Sequence, residues 1–124
     1  MKQYVLLISL AFSGLTLADA YLCIPEAGAG VKHGAQLDIR ADLYDFSDRR
    51  FIQSNENGEW QVKELGDDQP IFDKCSSEHF CEHSQGYGGA FFRTNTGIFS
   101  VTWIIGQEDQ SSIMAVAKGR CSKL

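Results

Sequence analysis

The sequence predicts an all-β fold, a small antiparallel barrel, from three observations. Short segments alternate apolar and polar residues, turn signals separate these segments at regular spacing, and 11% of the residues are aromatic, which is enough to fill a core. No segment has the period of a long helix. Closure of the sheet would remove exposed strand edges, which favours an up-and-down (calycin-like) barrel of about 7–8 strands, with an open β-sandwich as the alternative.

The first twenty residues have the features of a signal peptide. Lys2 supplies a positive start, an apolar run extends from Tyr4 to Leu17, and Ala18-Asp19-Ala20 forms a small-x-small cleavage site. The apolar run is shorter than the roughly 20 residues that span a bilayer. We therefore expect cleavage of residues 1–20 and a single disulfide-stabilised β domain, residues 21–124, that is periplasmic or secreted and has no membrane span.

The charge of the chain disfavours one class of partner. With 11 basic and 16 acidic residues, the formal net charge is −5, so the phosphates of a nucleic acid would repel the protein. A basic envelope or extracellular protein would suit this charge, although a modest acidic excess also keeps many exported proteins soluble. We expect a monomer whose partner, if any, is such a protein.

The first half of the mature chain contains a predicted loop and a predicted strand. AGAGVKHGAQ, residues 27–36, is rich in glycine and is expected to form an exposed loop. From Gln36 to Phe46 the residues alternate with the period of a half-buried strand. One side carries Leu37, Ile39, Ala41 and Leu43, and the other carries Asp38, Arg40, Asp42 and Tyr44.

The next segment is a predicted hairpin. Two strand-like runs, Phe51–Ser54 and Glu59–Leu65, flank Asn55-Glu56-Asn57-Gly58, and Asn57-Gly58 supplies the positive φ that a tight turn requires. Trp60 lies on the same side of the second run as Val62, so we expect it to be a core or barrel-mouth aromatic residue.

A second hairpin and a closing strand follow. Phe91–Arg93 and Ile98–Ile105 are joined through Asn95-Thr96-Gly97, and the short apolar run Ser112–Lys118 leads to the last cysteine.

All four cysteines, Cys23, Cys75, Cys81 and Cys121, lie in the predicted mature part. An even number in an exported chain predicts two disulfides, although four cysteines allow three connectivities. The positions favour Cys23 with Cys121, near the two ends of the mature chain, and Cys75 with Cys81, closing a short loop.

A metal site in the 75–83 loop is the alternative for the segment CSSEHFCEHSQGYGG. A helix would align Cys75, His79 and His83, whereas an extended chain would align His79, Cys81 and His83. A thiolate ligand needs a reduced cysteine, and export favours the disulfide. We therefore expect no metal and no cofactor, and keep His79 and His83 as the metal-binding alternative.

Three segments carry a resemblance to known proteins. YLCIPEAGAGV, WQVKELG and GRCSKL resemble a set of small exported proteins of unknown function from Gram-negative bacteria and their phages, which share an aromatic-Leu-Cys start and a Gly-x-Cys-Ser-x-Leu end. This resemblance implies export and a compact domain with joined ends, and it supplies no catalytic residue. In size, secretion and a disulfide-closed barrel, the chain is also faintly similar to periplasmic lysozyme inhibitors.

The function that these features favour is protein binding. We expect an exported interaction domain, inhibitor- or immunity-like and without catalysis, with Tyr87, Trp60 and Phe91 as candidate binding residues. Tyr87 lies between glycines on a predicted loop, and aromatic side chains on loops anchor interfaces. Turn geometry alone is the simpler explanation for the glycines around Tyr87.

The sequence also bears on two other classes of function. A small apolar ligand-binding barrel would use Trp60, Trp103, Phe91 and Phe99 as a lining. An enzyme is not expected, because no histidine lies in a nucleophile, HExxH or phosphate-loop motif.

Overall fold

The computed structural model describes residues 19–34, 38–84, 89–106 and 110–124, and the elements in these ranges are all β-strands. In chain order they are β1 (Ala20–His33), β2 (Ile39–Tyr44), β3 (Phe51–Glu56), β4 (Glu59–Glu64), β5 (Pro70–Phe72), β6 (Lys74–Cys75), β7 (Phe80–Glu82), β8 (Ala90–Arg93), β9 (Ile98–Gly106) and β10 (Ser112–Lys123).

The strands form one antiparallel sheet that nearly closes into a barrel. Nine strands follow the order β5-β4-β3-β1-β10-β9-β8-β7-β6, and β2 pairs with β1 off this path. One seam, between the β5 and β6 ends of the order, is unsealed. The all-β barrel is confirmed. It has more strands than expected because β5, β6 and β7 contain only two or three residues each, too few to show a periodic pattern.

The long strand β1 organises the sheet. One edge pairs with β10 along its length, while the other pairs first with β3, at residues 20–23, and then with β2, at residues 28–33. The register with β10 shifts between Pro25 and Ala27. Proline has no N–H to donate, which suits a position where one neighbouring strand ends and the next has not begun.

Both predicted hairpins and the predicted closing strand are confirmed. Asn57 and Gly58, between β3 and β4, have φ values of 57° and 85°, the positive pair that a two-residue hairpin turn requires. Gly97, before β9, has a φ of 87°. The closing strand begins at Ser112 as expected and continues to Lys123.

The two disulfides have the favoured pairing. Cys23 of β1 lies opposite Cys121 of β10, and Cys75 of β6 lies opposite Cys81 of β7. Two disulfides indicate an oxidising, extracytoplasmic compartment. No helix in the described part of the chain has the length and apolar character needed to span a membrane. The predicted signal peptide lies outside the described residues as far as Ala18.

Inward-facing residues from both sides of the barrel meet in one core. The cluster is dominated by aromatic and β-branched side chains: Phe51, Val62, Phe72, Phe91, Phe99 and Val101, together with Cys23, Cys81 and Ala117. The alternation predicted for β9 is confirmed, since Phe99 and Val101 are buried and Thr102 is exposed.

The loop expected at residues 27–36 is wrong as far as His33, because these residues belong to β1. The glycines serve packing here rather than a turn. A methyl group on Gly28 would collide with the ring of Phe46, and one on Gly30 would collide with the ring of Tyr44. The flat backbone of β1 therefore accommodates two aromatic rings that a larger residue would displace.

The strand predicted within residues 36–46 is present as β2, but its apolar side faces solvent. Ile39 is 77% exposed and Leu43 is 89% exposed, whereas Asp42 and Tyr44 are half-buried. In a half-buried strand the apolar side is ordinarily the buried one. In this barrel, Tyr44 packs its ring on Gly30 of β1 instead, which turns Ile39 and Leu43 outward.

Candidate functional site: the Trp60 cleft at the barrel seam

The seam is the place where backbone pairing stops. β5 and β6 lie at opposite ends of the strand order, yet only Asp73 separates them in sequence, so the chain itself crosses the seam at Asp73. β4 lies in contact with β6 and β7, but among the described strands neither of these forms a ladder with it. Side chains must therefore hold this part of the barrel together.

Gln53 and Arg93 make the connection inside the barrel. The Gln53 side chain on β3 is fully buried and donates from Nε2 to the carbonyl oxygen of Glu78 at 2.6 Å. Arg93 on β8 is 3% exposed and donates from Nε to Gln53 Oε1 at 2.7 Å and from Nη2 to the same Glu78 carbonyl at 3.4 Å. Residues from both halves of the sheet thus converge on one carbonyl.

The charge of Arg93 is also stabilised by an aromatic ring. Its guanidinium carbon lies 3.9 Å from the ring centroid of Tyr21, a geometry in which the negative face of the ring attracts the cation. A buried guanidinium needs such partners because water is excluded.

A cleft of about 370 Å³ opens at the seam. The tip of the β3–β4 hairpin forms one wall, and the chain after the seam crossing forms the other. We call it the Trp60 cleft; its lining residues are Gly58, Glu59, Trp60, Asp73, Lys74, Cys75, Ser76 and Ser77. Trp60 is half-buried, and its ring lies 6.3 Å from that of Tyr21, so the same tyrosine supports both the cleft and Arg93.

Carboxylates give the cleft an acidic character. Glu59 and Asp73 are both exposed at its walls. A hydrogen bond from the Ser84 side chain holds the pKa of the Asp73 carboxyl below its ordinary value. The backbone N–H of Ser84, which donates to Asp73 Oδ1 at 3.1 Å, and nearby His83 contribute less. The one cation of the lining, Lys74, has its Nζ 3.9 Å from the carboxylate of Glu82.

The 75–83 segment, the metal-binding alternative, contributes its first three residues to the lining of this cleft. Cys75 and Cys81 are joined in a disulfide, so they offer no thiolate. His79 donates from Nδ1 to the Arg93 carbonyl oxygen at 2.7 Å, and the N–H of His83 donates to the Gly89 carbonyl oxygen. Within the described ranges, no group of three or more His, Cys, Asp or Glu side chains has an arrangement that could hold a metal ion.

The predicted binding aromatics do not share one location. Trp60 lines the cleft, whereas Phe91 is fully buried and stacks on Phe99 with ring centroids 5.6 Å apart. Trp103 borders two mainly apolar pockets of about 170 and 180 Å³. Tyr87 lies outside the described residues.

Sequence reasoning missed Gln53, Arg93, Glu59 and Asp73. A signal was present for two of them. Gln53 lies two residues after the core residue Phe51, and Arg93 lies two residues after the core residue Phe91, so the strand period already placed both polar side chains inward. For Glu59 and Asp73 there was no local signal, because only the seam crossing brings them to one cleft.

Comparisons with protein-family models, curated proteins and solved structures find no match for this chain.

Proposed function

We propose that this protein is an exported, non-catalytic interaction domain that binds a basic segment of another protein in the Trp60 cleft. The observation that carries the proposal is the combination of an indole ring with the carboxylates of Glu59 and Asp73 around one open cleft. A lysine or arginine side chain from a partner would meet the ring and the carboxylates together.

The physical basis is the fit of this lining to a cation. Cation–π contacts contribute about 0.5–2 kcal/mol, and most when the cation is partly desolvated, as in a cleft. Because the hydrogen bond from Ser84 keeps Asp73 ionised, the negative charge is maintained over a wide pH range. An inhibitor- or immunity-like role in the envelope or extracellular space agrees with this chemistry and with the two disulfides.

The sizes of the apolar pockets beside Trp103 argue against a small apolar ligand inside the barrel. The two pockets beside Trp103 measure about 170 and 180 Å³, whereas pockets that enclose drug-sized ligands measure roughly 300–1,000 Å³. A basic side chain presented by a protein needs only an open cleft, which the seam supplies.

The test uses the fluorescence of Trp60. The chain has two tryptophans, so Trp103→Phe leaves Trp60 as the only indole. Into this background we would titrate a short peptide bearing one arginine among polar residues, and the same peptide with glutamate in its place. We expect a saturable change in Trp60 emission with the arginine peptide alone.

Two further variants separate the cleft from general charge attraction. Glu59→Gln should weaken binding about two- to fivefold, since exposed ion pairs contribute up to about 1 kcal/mol. Asp48→Asn, which removes an exposed turn carboxylate remote from the cleft lining, should leave binding unchanged. Equal effects of the two variants, or no saturable signal, would overturn the proposal.

A further inference from the structure

β2 presents an unusual edge to solvent. One edge pairs with β1, and among the described strands no other strand pairs with it. Native proteins ordinarily guard a free edge with charges or prolines because it can pair with another chain. β2 combines the most exposed apolar side chains of the sheet, Ile39 and Leu43, with two opposite charges, Arg40 and Asp42.

The apolar side of β2 continues across the outer surface of the barrel. Cross-strand register places Leu43 beside Ala29, which lies opposite Val116, and Ala41 beside Val31, which lies opposite Met114. The exposed apolar side chains of this outer face, drawn from β2, β1, β10 and β9, are Val31, Ile39, Leu43, Ile104, Met114 and Val116. An apolar patch of this extent on a small protein marks an interaction surface.

We propose that β2 pairs antiparallel with β2 of a second copy of this chain, about a two-fold axis at Ala41. This register places Ile39 opposite the partner's Leu43 on the outer side. On the other side it places Arg40 opposite the partner's Asp42, and the two-fold axis repeats each contact. The strand is therefore complementary to itself in both apolar and charged side chains.

The charge pattern selects this register over its neighbours. Residues directly opposite in an antiparallel pair lie on the same face, so a two-fold axis must pass through a residue position. An axis at Arg40 would place the two Arg40 side chains opposite each other and Asp38 opposite the partner's Asp42. An axis at Asp42 would place the two Asp42 side chains opposite each other. Like charges directly opposite are destabilising, so of these three axes only the one at Ala41 pairs opposite charges.

The existing ion pairs of β2 accommodate the partner's charges. Within one copy, Lys32 Nζ lies 3.1 Å from Asp42 Oδ2, and Arg40 Nε lies 2.7 Å from Asp38 Oδ2. Adding the partner's Arg40 places the Asp42 carboxylate between two cations, and each cation keeps its present partner.

The dimer is expected to be weak, and it does not depend on the Trp60 cleft. A six-residue edge strand with its flanking side chains buries less surface than a standard stable interface, so association should depend on concentration. The cleft belongs to the hairpin tip of β3 and β4 and to the seam crossing, so either proposal can fail without the other.

The first experiment measures mass against concentration. Sedimentation velocity of the oxidised protein should show a monomer–dimer equilibrium. Asp42→Arg should raise the dissociation constant at least tenfold, because it sets arginines opposite each other at two symmetric positions. The double variant R40D/D42R should restore dimerisation, since it re-creates the opposite charges in exchanged positions. Asp68→Arg, the same charge reversal at an exposed turn position outside β2 and outside the apolar patch, is the matched control and should dimerise as the unmodified chain does.

The second experiment measures the register. Ala41→Cys should form a disulfide between two copies on mild oxidation, because directly opposite residues bring their Cα atoms within about 4.5–5.5 Å. Leu43→Cys should not, because it lies opposite the partner's Ile39. Peptide mapping would identify the linkage. A monomer at all concentrations, failure of the double variant to rescue a folded dimer, or cross-linking at Leu43→Cys in preference to Ala41→Cys would overturn the proposal.

Discussion

The barrel is closed in two different ways at its two junctions. Where β1 meets β10, an antiparallel ladder runs from Tyr21 opposite Lys123 to His33 opposite Ser112, with the Cys23–Cys121 disulfide within it. At the seam, the facing ends of the sheet are strands of three and two residues, and two buried side chains with one chain crossing complete the closure. The first junction uses backbone groups that every residue has, and the second uses particular side chains.

This difference explains where the candidate site lies. A continuous ladder leaves no gap between strands, because neighbouring strands lie about 4.8 Å apart. At the seam the missing ladder leaves room for the Trp60 cleft, and the side chains around it can vary without breaking strand pairing. Closure by side chains therefore makes the seam the junction that is open to a partner.

The largest expected effect comes from the disulfides, one at each junction. In the chain-entropy model, a disulfide across 98 residues contributes about 5 kcal/mol and one across 6 residues contributes about 2 kcal/mol. Replacing Cys23 and Cys121 by alanine should therefore destabilise the protein more than replacing Cys75 and Cys81. Urea denaturation of the two double variants measures the difference, and equal losses would contradict this account of the ladder junction.

The next effect concerns the side chains that bridge the seam. Arg93→Met and Gln53→Leu should each reduce the free energy of unfolding by about 1–3 kcal/mol, because each leaves buried polar groups without a partner. The double variant should lose less than the sum of the two losses, since the side chains act together.

Arg120→Met is the control for the loss of an arginine. Arg120 pairs with Glu26 on the surface, where its side chain is 69% exposed, so the loss should be about 0–1 kcal/mol. Chemical denaturation compares the variants. A loss at Arg93 no larger than that at Arg120 would show that the seam does not depend on the buried network.

The smallest effect is the pH dependence of the seam crossing. The hydrogen bond from Ser84 holds the pKa of the Asp73 carboxyl below its ordinary value, so the unfolded chain binds this proton more tightly than the folded one. The stabilisation is therefore fully present above the ordinary pKa of about 4 and is lost as the pH falls through the lower folded value.

Asp73→Asn should remove this contribution. The difference in unfolding free energy between the unmodified chain and the variant should shrink from pH 6 to pH 3. The difference should be modest, because Asp73 is exposed and solvent screens its interactions. Asp68→Asn controls for the loss of one exposed charge in a turn. A difference that stays constant with pH would contradict the hydrogen bond to Ser84.

Features that depend on neighbouring residues were predicted correctly from the sequence, whereas features that depend on tertiary contacts were not. Asn57-Gly58 identified a hairpin because positive φ at both residues is a local requirement. Position along the chain only favoured the cysteine pairing. The short strands β5, β6 and β7 were missed because two or three residues cannot show a period, and they form only because the core and the Cys75–Cys81 disulfide hold them in place.

The candidate site was predicted only in part. Trp60 was predicted to be a core or barrel-mouth residue because it lies on the same side of its strand as Val62, and it does line the cleft. Glu59 and Asp73 were not, because 13 positions of chain separate them and the seam crossing alone brings them together. Phe91 was singled out as a candidate aromatic binding residue, yet it lies in the core, since residue type does not say how deeply a side chain is buried.

The sequence by itself determined the all-β class, the two hairpins, the alternation of β2 and β9, and the number of disulfides, because each depends on backbone conformation or on the cysteine count, and it favoured the cysteine pairing without deciding it. Only the tertiary structure decided which side of β2 faces solvent and how the barrel closes. Tyr44 and Phe46 cover the glycines of β1, which turns Ile39 and Leu43 outward. Gln53 and Arg93 are buried at the seam because their strands carry them inward towards a carbonyl that no local pattern could identify.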